Sequence, residues 1–166
     1  MTVYCLDAGI FIQAWNDYYA PDQCPEYWDI LDQLARDGRI FCCEEVKREI
    51  EKHDDELCAW LKVRPHFVDE INPEVQHHLR AVLKKFPRLV DTKKDRSMAD
   101  PWVVAHAIAK KAVVVTKEMP VGASAKAPKI PDVCNGFSVR WINDFQLIRE
   151  LGIRFTAHRT GEMKHP

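Results

Sequence analysis

Val3-Tyr4-Cys5-Leu6-Asp7-Ala8-Gly9-Ile10-Phe11-Ile12 is the stretch whose reading decides the fold. An apolar, β-favouring run stops at an acid and a glycine, and a second apolar run follows. That pattern predicts a buried strand with Asp7 at its C-terminal tip and a helix leaving directly after it. In open α/β sheets, chemistry gathers outside the carboxyl ends of the strands. The next question is whether other acids reach the same edge.

Three further apolar runs read as strands, near residues 40–43, 112–116 and 138–142. Phe67 and Val68 suit a short extended piece. Helical spacing predicts helices from Ile10 to Tyr19, from Asp22 to about Asp37, and from Glu44 to Ile50. Others follow from Asp54, from Pro73 to Phe86 and from Ser97 to Ala109, with a last one, capped by Asn143, over 144–151. Lys84 to Arg96 reads as a basic link, and Met119 to Pro131 as a polar loop. Strands alternating with helices predict an α/β fold, a central parallel sheet covered by helices on both faces.

On this topology four acids map to one edge. Asp7 ends the first strand, and Glu49 lies on the helix after the second. Asp100 opens the helix that leads into strand 112–116, and Glu118 lies just past that strand. Each has a simpler structural explanation. Asp7 suits a helix cap, Glu49 a solvated helix charge, Glu118 a loop acid, and Ser97-x-x-Asp100 resembles a capping box. The set weighs more than its members because each maps independently to the same place. Clustered carboxylates need a counter-charge, and a hard cation with oxygen ligands, Mg²⁺ or Mn²⁺, supplies one. Such a site activates water at a phosphodiester.

Charge along the chain supports a polyanionic partner. The net charge is -1, but residues 1–83 carry 8 Lys/Arg against 17 Asp/Glu, whereas residues 84–129 carry 11 against 4. The basic middle is a candidate phosphate-binding face, with Lys93, Lys94 and Arg96 as favoured contacts; a solvated helix-loop surface explains it as well. The 166 residues fit one domain over 1–155 and a disordered tail over 156–166. No apolar run reaches the roughly 20 residues of a membrane helix, and no basic-then-apolar leader opens the chain. The six cysteines contain no CxxC pair. They read as reduced thiols of a cytoplasmic protein rather than a zinc site. His106 reads as a core or surface histidine, and the five tryptophans as core.

The chain resembles a PIN domain. The likeness is strongest to a small prokaryotic PIN-like subfamily long described only as a domain of unknown function. It is carried by Tyr4-Cys5-Leu6-Asp7-Ala8-Gly9-Ile10-Phe11-Ile12, by Val46–Ile50 with Glu49, and by Ala99-Asp100-Pro101-Trp102-Val103-Val104-Ala105-His106-Ala107. Val113-Val114-Val115-Thr116-Lys117-Glu118 and Lys129-Ile130-Pro131-Asp132-Val133-Cys134 extend it, so it spans roughly residues 2–155. The resemblance implies a PIN-like three-layer sandwich and an endoribonuclease dependent on Mg²⁺ or Mn²⁺. It implies RNA as substrate, a toxin role, an antitoxin protein as partner, and a homodimer. It makes Asp7, Glu49, Asp100 and Glu118 the metal-binding and catalytic acids, lines the site with Thr116, and leaves Asp132 as a reserve ligand or a support behind the ligands. Two positions depart from the pattern: Gly9 stands where relatives often carry Ser or Thr, and Glu118 where Asp is common. Two other readings compete. One is a PIN fold retained as a non-catalytic interaction module. The other is a small-molecule phosphohydrolase with Asp7 as nucleophile, which lacks the usual second Asp because Gly9 occupies its place.

Overall fold

The computed structural model describes residues 1–90, 98–122 and 124–161. Strand β1 (Tyr4–Leu6) is buried along its whole length and lies at the middle of a five-stranded sheet. Helix α1 (Ala8–Gln13) leaves it at once and widens into a π-helical turn over Ala14–Tyr18. Helix α2 (Pro25–Arg36), strand β2 (Ile40–Cys43), helix α3 (Glu44–Glu51) and helix α4 (Glu56–Lys62) follow. A 3₁₀ turn at Pro65–Phe67 feeds strand β3 (Val68–Asp69). Then come helix α5 (Pro73–Lys85), helix α6 (Asp100–Lys110), strand β4 (Val113–Val115), helix α7 (Ile130–Gly136), strand β5 (Trp141–Ile142) and helix α8 (Asp144–Glu150).

The strand order is β3-β2-β1-β4-β5, and every pairing is parallel. The chain builds outward from β1 to β3, then crosses back and continues on the other side with β4 and β5. Right-handed crossovers in opposite directions place their helices on opposite faces of the sheet, which gives three layers. The reversal falls between β1 and β4, where Tyr4, Cys5 and Leu6 pair with Val113, Val114 and Val115.

Local chemistry explains the helix ends. Asp55, Asn72 and Asn143 accept from Cys58, Val75 and Gln146 N–H at 2.9, 3.0 and 2.9 Å, satisfying donors a helix start leaves orphaned. Gln146 returns a bond to Asn143 N, completing a capping box. Pro25, Pro73, Pro101 and Pro131 all stand in first turns, where a missing N–H costs nothing. Gly38 ends α2 with φ +69°, a left-handed value that favours glycine.

The core gathers Leu6, Phe11, Leu31, Ile50, Phe67, Val114 and Leu147. Trp28 holds Trp15 and Trp60 edge-on at 4.6 and 5.0 Å. All six cysteines are free thiols, and all but Cys24 are buried. Three expectations shift. Val68–Asp69 forms a fifth strand, and 130–136 is a helix opened by Pro131 where only a return to the body was expected. Helix α6 starts at Asp100, with no side-chain cap at Ala99 among the described residues; Ser97, half of the expected capping box, lies outside them. After α8 the chain returns over the body, and Phe155 stacks on Tyr19 at 5.0 Å. Residues 156–161 are exposed and form neither helix nor strand. Among the described residues no helix is long and apolar enough to cross a membrane.

Leu6 is fully buried in the central strand. Leu6→Ala is expected to destabilise the fold by ~2–5 kcal/mol, read from the midpoint of urea denaturation.

Candidate active site at the sheet edge

The site begins where β1 and β4 end side by side. Asp7 N–H donates to Val115 O at 3.0 Å, extending the ladder by one bond. The Asp7 carboxylate is thereby fixed at the tip of β1, only 8% exposed. Its Oδ1 accepts from Ala8 N–H at 2.8 Å, and its Oδ2 from the Thr116 hydroxyl at 3.2 Å. Thr116 Oγ1 in turn accepts from Glu118 N–H at 3.2 Å. One hydroxyl therefore ties the acid ending β1 to the backbone leaving β4. The simple helix-cap role weighed for Asp7 is real, but it uses only one of the two carboxylate oxygens.

Electrostatics identify the neighbours. Burial first, and then the charges of Glu118 and Glu49, push the Asp7 carboxyl up to about 7 against the bonds from Ala8 and Thr116. Glu49, half-buried on α3, is itself raised by burial and by Glu118, while Lys52 and His53 oppose the rise. Three of the four expected acids thus feel one another. The fourth, Asp100, is buried at the first residue of α6. Helix α6 leads straight into β4 and runs back along the sheet, so its first turn lies at the same carboxyl edge.

The carboxylates do not form a ready cage. Among the described residues no three His, Cys, Asp or Glu side chains are arranged to hold a metal ion. Both Asp7 oxygens face protein donors, and Glu118 Oε2 accepts from Ile130 N–H at 2.8 Å, at the start of α7. The donor set nevertheless suits a hard cation, being oxygen only and self-repelling. Asp132 plays another part. It is buried and accepts from Val121, Gly122 and Lys129 N–H, at 2.7 Å from the last two. Burial raises its pKa, but these amides and the Lys129 charge more than reverse that and hold it below the usual value. It fastens the 119–129 loop, and its bonds run to backbone rather than to the other acids.

Two residues at this edge carried no role in the sequence reading. Asp144, directly after β5, is buried, and burial raises its pKa against N–H groups of its own turn and the Lys117 charge. Its signal was an acid within two residues of a strand end, the same signature as Asp7. Lys117 is exposed beside Thr116. His106 is fully buried, with Nδ1 2.8 Å from Asp69 Oδ2, and Lys110 also binds Asp69 at 2.6 Å. It is a core histidine, the first of the two places the sequence reading allowed. Lys93, Lys94 and Arg96 lie outside the described residues.

The parallel five-stranded sheet ordered β3-β2-β1-β4-β5, with helices on both faces, is a PIN-like three-layer α/β fold. The chain belongs to the family described as "Domain of unknown function (DUF4411)", whose model matches residues 4–155. The fold is shared with chains of three solved structures: VapBC2 from Rickettsia felis bound to a promoter DNA fragment, VapBC-1 from nontypeable Haemophilus influenzae, and DNA-bound VapBC from Salmonella typhimurium. Identities are 18, 17 and 14%, and TM-scores 0.50, 0.51 and 0.50. Each match covers 86% of this chain and 98% of the other. No curated protein matches the chain.

Asp7 titrates at about 7 in the fold, against about 3.9 when unfolded. Between those values the native state holds more protons than the unfolded one, so stability falls as pH rises through that window. Asp7→Asn cannot ionise. It is expected to raise the melting temperature of the metal-free protein at pH 8 by ~5 °C, with the gain vanishing near pH 4, in paired thermal melts. Asp132→Ala is expected to cost ~1–3 kcal/mol at pH 7, because three amides lose their acceptor.

Proposed function

We propose that this protein is a metal-dependent endoribonuclease that cleaves single-stranded RNA by metal-activated water, acting as the toxin of a toxin–antitoxin pair. The observation that carries the reading is the buried Asp7 carboxylate at the reversal of strand order, tied through the Thr116 hydroxyl to the backbone of Glu118, where the charges of Glu118 and Glu49 bear on it. A buried acid facing other acids is costly to a fold, and such groups gather where chemistry needs them. A bound Mg²⁺ or Mn²⁺ would relieve that repulsion, lower the pKa of a water and neutralise a phosphodiester oxygen. Asp7 and Asp100 are the principal ligands, with Glu49 and Glu118 completing the shell directly or through water. Thr116 holds the Asp7 carboxylate in orientation, leaving a lone pair on each oxygen for the cation. Glu118 is steadied by Ile130 N–H through Oε2, and Oε1 has no hydrogen bond among the described residues.

The fold shared with VapBC chains supports the toxin role and an antitoxin protein as partner; assembly as a homodimer is part of the same proposal. That role predicts a short neighbouring gene for a DNA-binding protein. One observation favours a second reading, a PIN fold kept for binding alone: no three acids stand ready for a metal among the described residues.

Two measurements separate these readings. Mn²⁺ titration by calorimetry is expected to show binding to the wild type and its loss in Asp7→Asn and Asp100→Asn. RNA cleavage in Mg²⁺ or Mn²⁺ is expected to fall on the order of a hundredfold or more in both variants. Wild-type protein that binds neither cation supports the binding module; variants that cleave at the wild-type rate place the chemistry elsewhere.

A further inference from the structure

Gly9 sits inside α1, two residues after Asp7. It is not among the residues with positive φ, so its backbone does not require glycine. A glycine inside a helix is destabilising relative to alanine. The reason for it here is space. A β carbon added at Gly9 would meet Lys117 Cε at 3.0 Å, Cδ at 3.3 Å and Cγ at 3.4 Å. The lysine's aliphatic stem therefore runs across the first turns of α1, through the notch the missing side chain leaves.

The backbone that aims this lysine is held on both sides. Thr116 N–H donates to Ile142 O at 3.0 Å, and Thr116 Oγ1 links Asp7 to Glu118 N–H. Lys117 is exposed, and among the described residues it forms no ion pair within 4 Å. Its charge reaches Asp144 but is not consumed by it. By contrast, Lys110, in the same basic segment, is bound to Asp69 at 2.6 Å. An edge lined by Asp7, Glu49, Asp100, Glu118 and Asp144 repels phosphate; a fixed cation beside it offsets part of that repulsion.

We propose that Lys117, seated in the notch left by Gly9, is the residue that binds a backbone phosphate of the single-stranded RNA substrate beside the acid edge. This assignment rests on the ribonuclease reading above. Gly9 and Lys117 then act as one device: the missing side chain at Gly9 leaves the space that seats the lysine stem. A lysine without that seat would sweep many rotamers and lose more freedom on binding.

The test uses fluorescein-labelled single-stranded RNA and the full chain carrying Asp7→Asn, which keeps the RNA intact. Adding Lys117→Met is expected to weaken binding roughly fivefold near 100 mM salt, and to reduce the slope of log affinity against log salt by about 0.7, the signature of one lost phosphate contact on a single strand. Lys117→Arg is expected to restore most of both. Gly9→Ala is expected to fold, since the atoms it displaces belong to a flexible side chain, and to weaken binding; on top of Lys117→Met it is expected to add nothing. Unchanged affinity and slope in Lys117→Met, in a protein whose wild type cleaves RNA, overturn this assignment alone. Additive losses in the double variant overturn the coupling to Gly9. A wild type that neither binds nor cleaves RNA overturns the ribonuclease reading and this one with it.

Discussion

The parallel pairing of β1 with β4 is the constraint on which the site depends. It joins two strands 109 residues apart by their side chains, Asp7 and Thr116, and it places the reversal of strand order between them. At a reversal, the helices following adjacent strands leave toward opposite faces, so a crevice opens between them. Asp7 lies at that reversal because its N–H extends the ladder to Val115 O. The ladder fixes the backbone, the Thr116 hydroxyl fixes the carboxylate, and burial raises the energy of its ionised form. The same bonds that hold the strand hold the acid in an unfavourable place.

Asp7 and Asp132 show how environment divides one residue type into two roles. Both are buried at the same end of the sheet. Asp132 receives three backbone N–H groups and stays ionised with its pKa lowered. Asp7 receives one N–H and one hydroxyl and faces Glu118 and Glu49, so its pKa climbs to about 7. The first arrangement lowers the energy of a loop. The second stores electrostatic energy that a cation can release.

Strands β1, β2 and β4 were legible because each is an unbroken apolar run with turn residues beside it, and Asp7 and Glu118 were legible because they end two of those runs. Strand β3 was not: two residues carry no periodicity, and Val68–Asp69 becomes a strand only through Cys42 and Cys43. Helix α7 was hidden by the proline that in fact starts it. Asp144 was hidden because it stood only as the first residue of the helix that Asn143 caps. The seat of Lys117 was invisible for a different reason. Gly9 and Lys117 are far apart in sequence, and only the β1–β4 pairing reveals that the small residue and the long one share a space.

Glu118 shows why a residue that departs from the relatives' common Asp can still suit this chain. Its carboxylate must reach Ile130 N–H at the start of α7, twelve residues on, while its charge still bears on Asp7. The extra methylene of glutamate gives the reach that both demands need. The helix start gains an acceptor for one of its unpaired donors, and the acid gains a fixed Oε2 that leaves Oε1 facing no protein donor among the described residues. Asp132, two residues further along α7, holds the loop between them through Val121, Gly122 and Lys129. The loop, the helix start and the acid edge are thus coupled by backbone amides, so a displacement of Glu118 toward a cation withdraws its contact from α7.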